Sequence, residues 1–341
     1  MQAWLKAKLT DPMPRTHFYF ITATLWLCSI QSFAQQAPQT PEQTPATPVV
    51  CPAVAKPPTS TEVQEATAKA RDHGLLWRLR KDGRDLYLFG TMHVGKLDWI
   101  FPGPQLSKAL RVSDAVALEL DLQEPSVQKA FKTAMDDMAP LRVDAALQAR
   151  LDRQADIACL PREALAATPP LFQALSYLLL AARDAGLDQG YAQEHMLTAF
   201  AKKAGKPIIS LETPAIQIRA VAGTGANAGQ KLLEETLAEL EQHKVVPLML
   251  RLADAWANNR LDLLESYEEW CECINSEEDR IQLHRIIFDR NPHLADRITA
   301  EHAAGKQVFA AVGTLHMIGQ QGLPKLLASR GFDVELLVGQ R

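Results

Sequence analysis

The chain places the same short motif at the end of an apolar run twice, more than two hundred residues apart. Residues 86–96 are LYLFGTMHVGK and residues 308–319 are VFAAVGTLHMIG, so Gly-Thr-x-His follows a strand-like run in both. A Leu-x-Lys-x-Leu helical pattern and a second apolar run follow each motif, which indicates a weak internal repeat. Right-handed crossovers would make the flanking strands parallel and bring their carboxyl ends to one sheet edge. We therefore expect His93 and His316 to face one cleft.

The remaining pattern predicts an α/β chain. Apolar and polar residues alternate on both sides of the turn at 81–84, where Gly83 favours a hairpin. Further strands are predicted at 115–120, 206–212, 307–313 and 333–338. Residues 125–206 and 214–304 carry mostly helical spacing. The predicted fold is a mixed central sheet formed by the N- and C-terminal strand–Gly-Thr-x-His–helix–strand segments, with large helical insertions.

The first 34 residues are predicted to be a signal peptide. The apolar run Phe18–Ile30 is short for a membrane span, and small residues before the end of the segment suit cleavage after Ala34. Met1 and Met13 are both candidate start residues. The alternative left open is an uncleaved segment that anchors the chain to a membrane.

Residues 35–60 consist largely of Pro, Gln, Thr and Ala, which predicts a disordered tether before a domain at 61–341. We expect this domain to be periplasmic or secreted, with no stable membrane span after cleavage. The net charge is −4 with no basic stripe, which argues against a nucleic-acid partner. The acidic amphipathic helices are compatible with a homodimer.

Four cysteines remain after the predicted cleavage: Cys51, Cys159, Cys271 and Cys273. Export makes disulfides plausible. We predict one bridge from Cys159 to Cys271 or Cys273, because a bridge between residues two apart would be strained. The Cys-Glu-Cys stretch also resembles half of a metal-binding knuckle, but the sequence has no second pair. Cys51 is left unassigned.

The two motif histidines have acidic partners at similar positions. Imidazole is the commonest metal-binding side chain and the natural base near neutral pH. Glu119 lies in an otherwise apolar strand, where a carboxylate is costly unless it is paired, hydrogen-bonded or bound to metal. Glu212 ends another predicted strand, with a helix N-terminus as its alternative role. Two histidines and a glutamate with an open position would suit a divalent metal that activates water for hydrolysis.

Further candidates have equally plausible structural roles. Asp121 lies on the same strand face as Glu119, either in the site or as a cap or solvent group at the strand end. Around a predicted helix start, DQGYAQEHM places three more candidates, for which capping or surface roles are the alternatives: Asp188, Tyr191 and His195.

Arg290 and Asn291 join two predicted helices. Arg290 could stabilise a developing negative charge. Asn291, directly before Pro292, is predicted to be an N-cap in the alternative structural interpretation.

Several of these stretches together resemble the TraB/GumN family over roughly residues 70–341. They are Gly90-Thr-Met-His93, the strand with Glu119, GKPIISLET with Glu212, Arg290-Asn291 and the terminal VGTLHMIGQQGLPKLLASRGFDVELL. This family is grouped with the Tiki proteases and, more remotely, with erythromycin-esterase-like and ChaN-like haem-binding proteins. The resemblance implies a mixed α/β core and, from the Tiki members, peptide cleavage supported by manganese or cobalt. It also implies metal-binding or catalytic roles for His93, Glu119 and His316, with Glu212 as a further acid.

The sequence thus predicts an exported metal-dependent hydrolase, specifically a peptidase acting on a peptide or protein. His93, Glu119 and His316 would hold manganese, cobalt or zinc, with Glu119 also acting on the attacking water. Glu212 and Arg290 would complete the charge around the substrate carbonyl. One alternative is a non-catalytic haem or small-ligand binding protein of the cell envelope, and another is a purely structural envelope protein.

Overall fold

The computed structural model describes residues 51–223, 225 and 227–340. The predicted signal peptide and residues 35–50 of the predicted tether lie outside this part of the chain. The described residues contain six strands: β1 Leu75–Lys81, β2 Arg84–Thr91, β3 Ala115–Leu118, β4 Ile208–Ser210, β5 Val308–Gly313 and β6 Asp333–Val338. All of them overlap the predicted strands, and the α/β class is confirmed.

The strands form one mixed sheet in the order β4-β3-β5-β2-β1-β6. Strand β3 pairs in parallel with β4 and β5, and β5 pairs in parallel with β2. Strand β1 is antiparallel to both β2 and β6. Gly90 lies opposite Val312 and Thr91 opposite Gly313, so the two motifs leave the sheet side by side. The prediction that they share one sheet edge is confirmed.

Helices account for most of the remaining described chain. They are α1 Ser60–Lys69, α2 Pro104–Val112, α3 Pro125–Asp136, α4 Ala145–Ile157, α5 Pro170–Leu180, α6 Gln193–Ala204, α7 Pro214–Ala222, α8 Ala228–Glu241, α9 Val245–Ala257, α10 Leu261–Glu265, α11 Tyr267–Trp270, α12 Glu277–Ile286, α13 Asn291–Ala303 and α14 Leu323–Ser329. Short 3-10 helices lie at Leu97–Ile100, Arg162–Leu165, Arg183–Ala185, Gln189–Tyr191, Phe288–Arg290 and Thr314–Met317.

The sheet is covered by helices on both faces. Alternating residues of β2 pack on opposite faces of the sheet, because successive side chains of a strand point to opposite faces. Leu86 and Leu88 pack with α13 and α14 in one apolar cluster, while Tyr87 and Phe89 pack with α2, α6 and α9 in another. A third apolar cluster, built by α4, α5 and α8, is the core of the helical insertion.

Residues 51–59, which we call the N-terminal strap, lie against the domain without forming a helix or strand. The Ala55 amide donates to Asp188 Oδ2 at 3.2 Å, and the Lys56 amide donates to the Tyr191 hydroxyl at 3.1 Å. The domain therefore includes residues 51–60, which the sequence had assigned to the tether.

The disulfides differ from the prediction. Cys51 is bonded to Cys159, and Cys271 is bonded to Cys273. The predicted bridge from Cys159 to Cys271 or Cys273 is wrong, since the strap brings Cys51 to the end of α4. Glu272 adopts a positive φ of 53°, and the Cα atoms of its two cysteine neighbours lie 5.0 Å apart. A local turn thus allows the bridge between residues two apart that the sequence argument excluded.

Within the described residues, every helix is too short or too polar to cross a membrane.

Candidate functional site

Four adjacent parallel strands end at one edge of the sheet, and the main predicted site residues lie just beyond those ends. His93 follows β2, Glu119 follows β3, Glu212 follows β4 and His316 follows β5. Arg290 reaches the same edge from the 3-10 helix that precedes α13. The parallel order of the strands is therefore what brings residues from four distant parts of the chain together.

His316 is buried, with 2% of its surface exposed, and is oriented by Asn291. The Asn291 side-chain nitrogen donates to the carbonyl oxygens of Gln321 at 2.7 Å and His316 at 3.3 Å. The Asn291 side-chain oxygen must therefore accept the 2.6 Å hydrogen bond from His316 Nδ1. This arrangement assigns the proton to Nδ1 and leaves the lone pair on Nε2.

The surroundings of His316 also keep it neutral. Burial lowers its pKa to about 4, with Arg290 and His93 acting in the same direction and Glu119 opposing them. Near pH 7, Nε2 is thus available as a base or a metal ligand. The predicted N-cap role of Asn291 is wrong, because α13 begins at this residue with no side-chain cap and its amide is committed to the His316 loop.

Glu119 is surrounded by donors. Its Oε1 accepts from the Gly313 amide at 2.8 Å, and its Oε2 accepts from Arg290 Nη2 at 2.6 Å and Gln217 Nε2 at 3.0 Å. Burial alone would raise the pKa of Glu119, but His316, Arg290, His93 and the Gly313 amide together lower it to about 2. The carboxylate is therefore ionised throughout the neutral range.

Arg290 bridges Glu119 to the fully buried carboxylate of Glu212. Its Nε donates to Glu212 Oε1 at 3.0 Å, its Nη2 contacts Glu212 Oε2, and its Nη1 donates to the Ile286 carbonyl at 2.8 Å. Gln217 Nε2 reaches Glu212 Oε2 at 3.2 Å. Although burial opposes it, the two carboxylates raise the pKa of Arg290 further above its ordinary value. We call Glu119, Glu212, Arg290 and Gln217 the ion cluster.

His93 has different surroundings, since its side chain is 59% exposed. Its Nδ1 lies 3.1 Å from Glu194 Oε1, which also accepts from the Thr91 hydroxyl at 2.6 Å. The Glu194 carboxylate raises the pKa of His93 above its ordinary value. This corner of the sheet edge therefore favours an imidazolium.

Glu194 and its neighbour Gln193, both in the first turn of α6, were not predicted as site residues from the sequence. Gln193 Oε1 accepts from the Met92 amide at 2.8 Å, so both side chains hold the loop that carries His93. Within the described residues, Gln193 Nε2 and Glu194 Oε2 are buried without a hydrogen-bond partner. Such atoms have unused capacity for a ligand or water. The only sequence signal was a carboxylate in a first helical turn, which is ordinary at helix N-termini.

The other predicted candidates make local contacts. Asp188 accepts from the Gly190 amide at 2.7 Å and pairs with Arg183 at 3.2 Å, and Tyr191 is bonded to the strap. His195 is exposed on α6.

Asp121 accepts from the Gln123 amide at 3.0 Å in the turn after β3. None of these four candidates is bonded to the ion cluster in the part of the chain that the structure describes.

The types of side chain at this edge are suitable for a divalent metal, but their arrangement in the structure is not. His316 Nε2 and the Glu119 carboxylate are suitable donors for a divalent ion, and His93 lies at the neighbouring strand end. Among the described residues, however, no group of three His, Cys, Asp or Glu side chains is arranged to hold a metal ion. The Glu119 carboxylate already accepts a hydrogen bond from Arg290, and the His93 imidazole contacts Glu194 instead.

Comparison with known proteins identifies a family for this chain but finds no similar solved structure. The model of the TraB/PrgY/gumN family matches residues 75–336. The uncharacterized protein YbaP of Escherichia coli (strain K12) is 26% identical over 251 residues, which cover 72% of this chain and 88% of YbaP. The YbaP protein of Shigella flexneri matches with the same identity and coverage. No solved structure matches the chain. With the family model spanning both Gly-Thr-x-His motifs and the strands between them, the chain belongs to the TraB/PrgY/gumN family.

Proposed function

We propose that this protein is an exported hydrolase that cleaves peptide bonds at the sheet edge around His316. The observation that carries the proposal is the state of His316. Its Nδ1 is bonded to Asn291 and its pKa is lowered to about 4, so Nε2 has a free lone pair at neutral pH. A neutral imidazole beside a permanently ionised carboxylate and a buried guanidinium suits a polar bond-cleavage reaction.

Each residue has a role in this proposal. His316 Nε2 accepts a proton from water as the water oxygen bonds to the substrate carbonyl carbon. The same proton then passes to the leaving amine as the carbon–nitrogen bond breaks. Arg290 stabilises the negative charge on the carbonyl oxygen, and Glu119 stabilises the imidazolium that forms transiently on His316. Glu212 holds Arg290 in place through its two contacts with the guanidinium.

A divalent metal remains part of the proposal, since the donor types at this edge fit one. Manganese, cobalt or zinc would be held by His316, Glu119 and His93. Such an ion would supply a bound water of lowered pKa in place of the histidine base, because His316 Nε2 cannot both bind the ion and accept a proton. Within the chain itself, Asn291 would support the ion by keeping His316 Nε2 free of its proton.

Export is supported by the cysteines. Two disulfides, Cys51–Cys159 and Cys271–Cys273, are typical of proteins in oxidising compartments such as the bacterial periplasm. The haem-binding alternative has less support, because the Tyr191 hydroxyl is engaged by both backbone groups of Lys56.

The test uses residues 51–341 purified with both disulfides intact and without chelators. Cleavage of fluorescently labelled casein would be measured alone and with added manganese, cobalt or zinc, and bound metal would be quantified by mass spectrometry. We expect His316→Gln to lower the cleavage rate by roughly 10²- to 10⁴-fold, the usual contribution of a positioned acid–base group.

The control is His195→Gln, which changes an exposed histidine on α6 and should leave the rate unchanged. A folded protein that cleaves nothing under any of these conditions, or a His316→Gln variant with full activity, would overturn the proposal. Loss of metal from both His316→Gln and His93→Gln would establish the shared ion, whereas activity that survives a chelator would assign the chemistry to the side chains alone.

A further inference from the structure

A groove of about 760 Å³ runs between α3 and α7. The wall from α3 includes Lys129, Ala130 and Ala134, and the wall from α7 includes Ile218, Arg219 and Ala222. The lining on the α3 side extends from residue 126 to residue 138. At a rise of 1.5 Å per residue this is about 18 Å, the length of about five residues of extended chain.

Helix α3 is an amphipathic helix without a buried residue. A helix normally buries its apolar face against the rest of the protein. Small side chains such as Ala130 and Ala134 instead face the groove and leave it open. The groove therefore offers apolar surface that this part of the chain does not cover.

Both walls begin a few residues after a carboxylate of the ion cluster in the sequence. Helix α7 starts two residues after Glu212, and its Gln217 donates to the carboxylates of Glu119 and Glu212. Helix α3 starts six residues after Glu119. A ligand in the groove would thus contact α7, the helix whose Gln217 meets both carboxylates, although Gln217 itself is not on the groove lining.

The lining carries two exposed cations, Lys129 and Arg219. Neither side chain forms an ion pair or hydrogen bond with the described residues. Arg285 lies directly behind Gly223 at the end of α7, where its Nε donates to the Ala220 carbonyl at 2.8 Å. Among the described lining residues, Asp137 is the one carboxylate, eight residues beyond Lys129 and thus about 12 Å away along the helix.

We propose that the α3–α7 groove binds an extended substrate segment of about five residues, in which apolar side chains alternate with acidic ones. The apolar side chains lie on the alanine-rich walls, and the acidic side chains pair with Lys129 and Arg219. This inference rests on the proposed function, because it identifies the part of a peptide substrate that the hydrolase holds. Charged walls of this kind contribute selectivity against basic segments.

The test measures binding separately from cleavage, in the His316→Gln variant of residues 51–341. The probe is a fluorescein-labelled peptide, Ser-Leu-Glu-Leu-Glu-Leu-Ser, and the matched probe replaces both Glu residues with Lys. Fluorescence anisotropy should show binding of the acidic probe at least tenfold tighter than binding of the basic probe. Affinity for the acidic probe should fall as salt is added, because partly exposed ion pairs are screened.

Three further variants locate the binding. The double variant Lys129→Gln/Arg219→Gln should weaken binding of the acidic probe at least tenfold. Ala134→Trp should block binding of this probe by filling the groove. Lys132→Gln is the matched control on α3, since Lys132 pairs with Asp136 outside the groove lining. Equal binding of the two probes, no binding of either, or binding unaffected by the groove variants would overturn the inference. A different outcome would contradict the proposed function alone. In that case the His316→Gln variant binds the acidic probe in the groove, but the unsubstituted protein cleaves no substrate.

Discussion

His93 and His316 follow the same Gly-Thr-x-His pattern at the ends of two neighbouring strands, but their imidazoles contact different partners. His316 is buried and bonded to the neutral amide of Asn291. His93 is largely exposed and contacts the carboxylate of Glu194. The pKa of His316 is lowered and that of His93 is raised. A repeated motif therefore specifies where two side chains lie, while residues from other segments decide their charge.

This difference separates the two possible roles of a histidine at such a site. The neutral His316 can accept a proton or bind a metal at once. His93 must first lose its proton, and in its present state it is suited to contact an anionic group of a ligand. The following changes test this contrast, in order of decreasing expected effect.

The stability of the ion cluster depends on the positive charge of Arg290. Arg290→Met would leave the carboxylates of Glu119 and Glu212 buried without a positive partner, and we expect the free energy of unfolding to fall by about 3–5 kcal/mol. Urea denaturation measures this. The control is Arg297→Met on α13, which should cost roughly 0–1 kcal/mol because Glu301 loses a half-buried ion pair at 3.5 Å but keeps its 2.7 Å contact with Lys306. Equal small losses in both variants would contradict the assignment of a buried ion cluster.

The two histidines should affect stability in opposite pH ranges. As pH falls below 6.5, the unfolded chain takes up a proton at residue 316, while folded His316 resists it down to about pH 4. Stability should therefore fall across this window, by on the order of 3 kcal/mol for this group. Glu119 adds a further loss between pH 4.5 and about 2. Because the pKa of His93 is raised, its contribution is present at low pH and is lost as pH rises through its folded pKa.

Denaturation at several pH values, on metal-free protein, measures these contributions. His316→Gln should flatten the loss between pH 6.5 and 4, and His93→Gln should reduce it much less, because His93 is the smallest of the named causes of the lowered His316 pKa. An acid limb that is the same in all three proteins would mean that His316 takes up its proton normally in the folded state.

Exchanging the partners should reduce the contrast between the two histidines. Asn291→Asp gives His316 a carboxylate and should raise its pKa by at least one unit, about 1.4 kcal/mol. Glu194→Gln removes the carboxylate from His93 and should lower its pKa. Titration of the imidazole proton resonances by NMR measures both. If neither pKa moves, the partners are not what separates the two histidines.

The glycines of the two motifs should also differ in how much a substitution by alanine destabilises the protein. A Cβ on Gly90 would lie 2.9 Å from Thr314 Oγ1 and 3.2 Å from Thr314 Cα, whereas a Cβ on Gly313 would meet nothing closer than Glu119 Oε1 at 3.4 Å. Gly90→Ala should therefore destabilise the protein by about 1–3 kcal/mol, and Gly313→Ala by less than about 1 kcal/mol. Thermal denaturation of the two variants compares them. A larger cost at Gly313 would contradict the packing of the motifs against each other.

The strands could be predicted because local patterns mark them, and right-handed crossovers made the flanking strands parallel, but the order of the six strands was not predicted. The alternation around Gly83 and the apolar run before Glu119 are signals contained within a few residues. Those patterns also placed His93, Glu119, Glu212 and His316 at strand ends, which the parallel pairing brings to one edge.

Residues whose role depends on a distant partner could not be predicted in the same way. Glu194 and Asn291 occupy ordinary positions in first helical turns, and only the folded chain brings their side chains to His93 and His316. The disulfide of Cys51 was missed for the same reason, because nothing in a Pro- and Thr-rich stretch indicates that it packs against α4. The sequence therefore identified the residues at the strand ends and Arg290, but not Glu194 or the contact of Asn291, which set the charges of the two histidines.

The strap has a mechanical consequence. A pull on the chain ahead of Cys51 would be borne by the covalent bond to Cys159, and so by α4 and the helical insertion. The hydrogen bonds of Ala55 and Lys56 to Asp188 and Tyr191 would carry no load while that bond is intact. After reduction, the same pull would peel the strap from the segment that leads into α6 and Glu194. The disulfide would thus shield the loop that carries His93 from a force applied ahead of Cys51.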